Sequence, residues 1–276
     1  MSVTADPDGL DRAGAPAPWA PLAAALRAYE SGDRAATLTV RNDADSPRSL
    51  PVSHFFREPI DFSAIDREAM GRCTGRVLDV GAAAGAVALP LQQRGLDVTA
   101  LDPVPEAVRI MRERGVLDAR LGNVMAFTSA EPFDTVLLLM NGSMIAGTVT
   151  GLEQLLLHLE TLLSPGGQVL MDSTDLRDGS EVQGPDGRYV GELHYQLEFE
   201  GNRGPPFPQL FVDPHALTDV ASRVGLGVDI VAEGEDGAFL ARIARLREAA
   251  APGSGDDHSG DGTPGSVVFS GRPPPP

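Results

Sequence analysis

The chain has 276 residues, of which 42% are hydrophobic, and a formal net charge of −17; this suits one large domain with a buried core and argues against nucleic acids or anionic membranes as partners. Every basic residue is an arginine and Cys73 is the single cysteine, which excludes a lysine base, an intrachain disulfide, a cysteine-rich zinc site and an iron–sulfur cluster. No apolar run is long enough to cross a bilayer and the N-terminus lacks the pattern of a secretory signal, so we predict a soluble, cytoplasmic protein.

The sequence before the first predicted sheet strand divides into a polar leader and a helical segment. Residues 1–17 are rich in Pro, Gly, Ala and Asp, a composition typical of disorder. Apolar residues at helical spacing predict an amphipathic helix over 19–30, and Asp61 as N-cap predicts a second helix. Residues 37–40 predict a short strand, and residues 42–51 indicate a loop. We therefore expect an N-terminal helical cap over 18–75.

Within this cap, the segment 53–59 carries two adjacent aromatic residues beside His54 and Arg57. Two interpretations are open. The aromatic residues either anchor the following helix, with His54 at the surface, or they line a pocket together with the basic side chains. We favour the first interpretation for His54.

A short apolar run that contains Val77, Leu78 and Val80 predicts a strand buried on both faces of a parallel sheet. Gly81 and Gly85 then bracket a turn of small residues, which allows a ligand to approach the backbone closely. A helix follows, and its free N–H groups point at whatever lies over the turn. The run therefore predicts a strand that leads into a ligand-binding loop.

The next strand, over 97–101, ends in Asp102, where a carboxylate is placed to accept hydrogen bonds from ribose hydroxyls. The glycine spacing from Asp79 to Gly85 differs from the G-x-G-x-x-G pattern of dinucleotide-binding folds, and an acid within the strand would repel a diphosphate. Such an acid suits a ligand that has an ammonium or sulfonium group and no phosphate. An NAD-dependent oxidoreductase is therefore a disfavoured alternative.

Helix and strand patterns alternate through the middle of the chain. Pro90 falls inside the helix after the glycine turn and predicts a kink or a late helix start. Residues 119–124 predict the third strand and its exit. Thr150 and Glu153 are spaced as a capping box before a leucine-rich helix, whose apolar stripe we interpret as core packing.

Polar residues end the fourth and fifth predicted strands. These strands cover 133–141 and 168–173. Ligands in open α/β sheets bind beyond the carboxyl ends of the strands, near the point where the strand order reverses. We therefore expect Asn141, Asp172 and Asp175 to face one cleft.

The remaining chain contains an insertion and a closing pair of strands. Alternating apolar and polar residues predict an antiparallel hairpin over 188–212, which covers the acceptor pocket or forms a dimer contact. Residues 227–232 and 238–243 predict two last strands. The composition of 248–276 predicts a disordered tail.

Three motifs together resemble the class I S-adenosylmethionine (SAM)-dependent methyltransferases. They are the stretch Asp79–Gly85, which matches the family pattern [DE]-x-G-x-G-x-G except at Ala83, the acid Asp102, and the turn Leu163–Gly167 before an apolar strand. The resemblance implies an α/β, Rossmann-like three-layer sandwich with a seven-stranded, mostly parallel sheet whose last strand is antiparallel. It implies a methyltransferase domain over 76–247 and a lid formed by the segment before it.

The resemblance also implies SAM as the cofactor, and we predict no metal. Asp79 is expected to serve the SAM amino group and Asp102 the ribose. Asn123 stands where family members often carry an acid that contacts adenine, and a simple turn asparagine is the alternative. The residues expected to border SAM are Asp79, Gly81, Ala82, Ala83, Gly85, Asp102, Pro103, Asn123, Val124, Met140 and Asn141.

The predicted activity is methyl transfer from SAM to an oxygen or nitrogen atom of a small-molecule acceptor (EC 2.1.1.-), by a monomer or homodimer that binds neither nucleic acid nor membrane. A hydroxyl acceptor needs a general base, whereas a carboxylate or neutral amine needs none. Asp172 and Asp175 are favoured as pocket residues over the other candidates, which are His54, His194 and His215. A non-catalytic SAM-binding or regulatory protein on the same fold is the main alternative.

Overall fold

The computed structural model describes residues 17–177, 182–184 and 187–246. The segments 1–16 and 248–276, which fall within the regions expected to be disordered, lie outside these residues.

The N-terminal segment forms two helices and two strands, which are α1 (Ala20–Glu30), β1 (Thr37–Arg41), β2 (Arg48–Pro51) and α2 (Ala64–Arg72). The predicted first helix is confirmed. The prediction of a loop over 42–51 is wrong at its end, because β2 pairs antiparallel with β1. The cap is therefore not purely helical.

The elements that follow, in chain order, are β3 (Arg76–Val80), α3 (Ala88–Gln93), β4 (Asp97–Asp102), α4 (Pro105–Glu113), β5 (Asp118–Leu121), β6 (Phe133–Leu138), α5 (Val149–Leu162), β7 (Leu163–Thr174), β8 (Glu192–Phe199), β9 (Asn202–Arg203), β10 (Phe207–Leu210), α6 (Pro214–Arg223), β11 (Leu226–Glu233) and β12 (Ala238–Arg245).

Seven of these strands form the central sheet, in the order β11-β12-β7-β6-β3-β4-β5. The strands from β3 to β7 pair in parallel, and β12 runs antiparallel to both of its neighbours. This confirms the predicted sheet with its reversed last strand. The chain winds outward from β3 to β5 and then returns to β6 on the other side of β3, so the strand order reverses between β3 and β6. Ligands bind beyond the strand ends at such a point.

Two helices begin at residues other than those predicted. The N-cap of α2 is Ser63 rather than Asp61, since the Ser63 side chain accepts the Asp66 N–H at 3.0 Å in a capping box. The N-cap of α5 is Thr148 rather than Thr150, because its hydroxyl accepts the Gly151 N–H at 2.9 Å. In both cases the capping residue has the extended backbone that an N-cap requires.

The late helix start expected from Pro90 is confirmed. Helix α3 begins only at Ala88, which places Pro90 in its first turn, where the missing N–H would have no partner within the helix. The leucine stripe of α5 is buried in the core beneath β6 and β7, as expected.

A second sheet joins the N-terminal segment to the insertion. The predicted hairpin is present as β8 and β10, and β8 also pairs antiparallel with β1, so the strand order is β10-β8-β1-β2, with β9 on β8. Leu22 and Leu26 of α1 pack in one apolar cluster with this sheet and with Ala107 and Ile110 of α4. The cap and the insertion therefore form one structure. Within the described part of the chain, no helix has both the length and the apolar character needed to cross a membrane.

Candidate functional site

The loop after β3 is a tight turn with three left-handed residues. Gly81 has φ +74°, Ala83 φ +47° and Gly85 φ +78°. Glycine adopts this conformation without a steric cost, whereas alanine loses about 1–2 kcal/mol in it. A hydrogen bond from the Ala83 N–H to Asp102 Oδ2, at 2.9 Å, holds the strained residue in place. The structure thus accommodates alanine where the family pattern has its middle glycine.

Asp102 connects this loop to the loop that follows β4. Its side chain is buried, with Oδ2 accepting from Ala83 and Oδ1 accepting the Val104 N–H at 2.8 Å. Burial raises the pKa of Asp102 to about 6, although the two backbone hydrogen bonds act in the opposite direction. Each carboxylate oxygen retains a second lone pair that can accept from a ligand hydroxyl.

Asp79 lies at the end of β3 and is 4% exposed. Its Oδ2 atom makes no hydrogen bond to any described residue. Burial, followed by the nearby charge of Asp102, raises the pKa of Asp79 to about 7. A buried carboxylate oxygen without a hydrogen-bond partner is costly, and a bound cation beside it would remove that cost.

A cavity lies over Asp79 and the loop. The segment 53–59 contributes Phe55 and Arg57 to its lining, and the end of β6 contributes Leu139 and Met140. The pocket-lining alternative is therefore supported for Phe55 and Arg57, whereas His54 and Phe56 are not among the residues that line this cavity. Five of the residues that were expected to border SAM line this cavity. They are Asp79, Gly81, Ala82, Ala83 and Met140. Gly85 instead allows close packing, since a side chain there would meet Val116 and Met111.

Arg57, which sequence analysis named only within the pocket-lining alternative, lines the cavity. Its side chain is 11% exposed, and Nη1 lies 2.8 Å from His54 Nε2 and 3.6 Å from Asp66 Oδ2. Its guanidinium carbon lies 5.6 Å from the centroid of the Phe62 ring. The Nε atom is buried and makes no hydrogen bond to a described residue. The sequence signal for it is an arginine next to two aromatic residues, just before the capped helix, and this signal assigns it no ligand group.

Asn123 and Val124 follow β5. The Asn123 side-chain oxygen accepts the Met125 N–H at 2.9 Å and caps a short turn that starts at Val124. This is the geometry of the turn-asparagine alternative, and the contact with adenine stays a prediction. Pro103 follows Asp102 at the end of β4.

The ends of β6 and β7 are tied to each other. Asn141, which is left-handed with φ +58°, accepts the Thr174 hydroxyl at 2.7 Å. Asp172 is half-buried, and its Oδ1 accepts the Gly142 N–H at 2.8 Å. Burial raises the pKa of Asp172 to about 6, against the effect of this hydrogen bond. Asp172 is therefore an ionisable group held rigidly next to Asn141.

Asp175 has a different environment. Its two oxygens accept from Nε and Nη2 of Arg177 at 2.9 and 2.6 Å, and this arginine lowers the pKa of the carboxyl. A carboxylate so engaged is a weak base, so the geometry favours Asp172 over Asp175.

The three histidine candidates have no better geometry. His215 is 87% exposed in its side chain, and His194 is an exposed residue on β8 next to Asp43. His54 is half-buried rather than at the surface, and burial followed by the charge of Arg57 lowers its pKa. Among residues 17–177, 182–184 and 187–246, no cluster of three or more His, Cys, Asp or Glu side chains is arranged to hold a metal ion.

The raised pKa values of three carboxyls predict a pH dependence of stability in the ligand-free protein. The folded pKa values of Asp79, Asp102 and Asp172 are about 7, 6 and 6, above the ordinary value of about 3.9 in an unfolded chain. The folded state therefore binds more protons between pH 4 and pH 7, and we expect the contribution of these groups to the free energy of unfolding to decrease as pH rises through this range. Urea unfolding at pH 5 and pH 8 measures it.

The comparison variant is Asp79→Asn, which should flatten this pH slope. Asp97→Asn, at an exposed position on β4, should leave it unchanged. A slope that is equal in the wild type and in Asp79→Asn would contradict the raised pKa of Asp79.

Residues 52–230 match a protein-family model described as a methyltransferase domain. The fold also matches the crystal structure of a SAM-dependent methyltransferase from Bacteroides fragilis in complex with S-adenosyl-L-homocysteine (SAH). The sequence identity is 35%, the match covers 84% of this chain and 97% of that chain, and the TM-score is 0.75.

Two curated relatives are similar over shorter stretches. A methyltransferase of Staphylococcus carnosus is 32% identical over 77 residues, which are 28% of this chain and 37% of that protein. The mitochondrial ubiquinone biosynthesis O-methyltransferase of Rattus norvegicus is 25% identical over 169 residues, 57% of this chain and 46% of that protein. The chain thus spans less than half the length of either curated relative.

Proposed function

Because this chain belongs to the class I SAM-dependent methyltransferase family, we propose that it transfers a methyl group from SAM to an oxygen or nitrogen atom of a small-molecule acceptor. The observation that carries this proposal is the buried carboxylate of Asp79, a residue that lines the cavity beside the glycine turn and whose Oδ2 has no partner among the described residues. The α-ammonium group of SAM supplies the missing cation.

The residues present fit this cofactor. We assign Asp79 to the ammonium group of SAM. The backbone of the turn from Gly81 to Gly85 is assigned to the part of SAM that links the ammonium group to the nucleoside, which can approach this backbone closely. The spare lone pairs of Asp102 suit the ribose hydroxyls, and Asn123 with Val124 borders the adenine. When bound, SAM supplies a methyl group on a sulfonium that is already activated as a leaving group.

The protein's own contribution is then to position the acceptor and to move a proton. Asp172 projects from β7 beside the turn after β6, and the Gly142 N–H fixes its carboxylate. With a pKa of about 6, this carboxyl is ionised at neutral pH and still basic enough to take the proton of a hydroxyl acceptor. For a neutral amine or a carboxylate acceptor, positioning alone suffices.

The preference for a small molecule is supported by the charge of the chain. The net charge of −17 opposes binding of a phosphate backbone. The O-methyltransferase among the relatives is consistent with a hydroxyl acceptor.

The proposal is tested by calorimetric titration with SAH, followed by incubation with methyl-labelled SAM and a panel of phenols, aliphatic alcohols, amines and carboxylates. We expect micromolar binding of SAH and label transfer to one class of acceptor. Binding without transfer to any class would favour the non-catalytic, regulatory alternative. Binding of NAD instead of SAH would overturn the cofactor assignment.

We expect Asp102→Ala to reduce both stability and SAH affinity. The Ala83 and Val104 N–H groups would lose their acceptor, and an unsatisfied buried N–H costs about 1–3 kcal/mol. SAH affinity should fall by about 10-fold or more, because the Asp102 carboxylate both holds the glycine turn and accepts hydrogen bonds from the ribose hydroxyls. Calorimetry and thermal unfolding measure the two effects.

The matched control is Asp97→Ala on the same strand, where the carboxylate is exposed and pairs with Arg76. An exposed pair contributes about 0–1 kcal/mol, so this variant should bind SAH as the wild type does. Unchanged SAH affinity in Asp102→Ala would contradict the ribose assignment.

A further inference from the structure

Two oppositely charged residues that line the same cavity have buried side-chain atoms without a partner among the described residues. Asp79 contributes Oδ2 and Arg57 contributes Nε. Among the described residues, the third such atom is Nε2 of His158, which lies on α5 away from the cavity lining. Because buried polar atoms are normally satisfied, a pair of this kind in one cavity points to a ligand that carries both charges.

The geometry of Arg57 shows which part of the side chain is available. His54 and Asp66 both lie against Nη1. The Nε edge of the guanidinium, which carries two parallel N–H donors on Nε and Nη2, is the edge with the unpartnered atom. Two parallel donors match the two oxygens of a carboxylate, which arginine binds in a bidentate manner.

The surroundings hold Arg57 in this orientation. Asp66 belongs to the capping box of α2, and His54 can accept the proton of Nη1 only with its neutral ring, consistent with its lowered pKa. The ring of Phe62 covers the guanidinium. The arginine is thus fixed before any ligand binds, which reduces the entropy lost on binding.

We propose that Arg57 binds the α-carboxylate of the cofactor while Asp79 binds its α-ammonium, so that the site reads the whole amino-acid end as a zwitterion. This inference rests on the proposed function. It predicts selection by ligand chemistry: nucleosides that keep both charged groups should bind tightly, and those that lack the carboxylate should be rejected.

A second cavity also borders Arg57 and is lined further by Glu58, Gln93 and Arg114. If the guanidinium served an anion there, or only held the segment 53–59 in place, then its removal would weaken all ligands of the first cavity to a similar extent. The two roles are therefore separated by comparing ligands with and without a carboxylate.

The test is calorimetric titration of the full chain with SAH and with decarboxylated SAH, which keeps the ammonium and the nucleoside. The wild type should bind SAH at least about 10-fold more tightly than the decarboxylated compound, as expected for a hydrogen-bonded charged group. Arg57→Gln should weaken SAH by about 10-fold or more and leave the affinity of the decarboxylated compound within about 2-fold. Arg57→Lys should recover part of the loss, because it restores the charge but not the parallel donors.

Arg72→Gln is the matched control, since Arg72 pairs with Glu68 at the surface and lines neither cavity. The retained affinity of Arg57→Gln for the decarboxylated compound reports that the variant is folded. Equal losses for both compounds, or equal affinities of the wild type for them, would overturn the assignment of Arg57. A wild type that binds neither compound would instead reject the proposed function itself.

Discussion

Asparagine in place of Asp79 is expected to weaken SAH binding by at least about 30-fold and, at the same time, to stabilise the ligand-free protein. Removing one partner of a buried charge pair costs about 2–5 kcal/mol, and the ammonium group of the ligand would lose its only proposed counter-charge. In the ligand-free protein the same substitution removes a buried carboxylate whose Oδ2 has no partner among the described residues. We expect the free energy of unfolding to rise by about 1–3 kcal/mol at pH 8.

Calorimetry with SAH and urea unfolding without ligand measure the two effects at pH 8. Asp97→Asn serves as the control, because that carboxylate is exposed on the neighbouring strand. The result that would contradict the assignment is a variant that loses stability and keeps SAH affinity, since Asp79 would then have a structural role.

A second large effect is expected for Asp172→Asn, which should lower kcat by about 100-fold or more with a hydroxyl acceptor and leave the Kd for SAH within about 2-fold. The amide can still accept the Gly142 N–H, so the turn after β6 keeps its support while the base is lost. General base catalysis contributes about 100- to 10,000-fold. The change in kcat is measured as turnover with the acceptor that the label-transfer screen identifies.

The pH profile gives an independent test of this role. With a pKa of about 6, Asp172 should cause the wild-type rate to fall as the pH drops below 6, and Asp172→Asn should lose this limb. Asp229→Asn, which changes an exposed carboxylate on β11, is the control. Equal kcat values for Asp172→Asn and the wild type would show that positioning alone drives the reaction.

The central sheet and the position of the site could be predicted because their signals are local. A buried strand, a turn of small residues and an acid at the end of the next strand are contiguous in sequence, and the strand ends of an α/β sheet meet at a known edge. Asp79 was expected to serve a cationic group, and the structure adds that its Oδ2 has no partner among the described residues.

The parts that could not be predicted depend on pairing between distant segments. Nothing in the pattern of 37–51 indicates that β1 pairs with an insertion far along the chain, so the cap was interpreted as helical. The N-cap positions of Ser63 and Thr148 depend on which residue has an extended backbone just before the helix. The spacing of capping residues in the sequence does not decide this. Arg57 was named as a pocket residue but given no ligand group, because only the structure shows that its Nε has no partner among the described residues.

The pairing of β1 with β8 also constrains how the chain folds. The ion pair of Arg41 with Glu198 joins residues 157 positions apart. Pairing of the second sheet therefore requires closure of a long loop, which costs conformational entropy. During synthesis β1 leaves the ribosome well before its partner strand β8 exists. We expect the central sheet to assemble first and the second sheet to pair last. Strand β2, which leads into the cavity-lining segment 53–59, would then be fixed only in the final folding step.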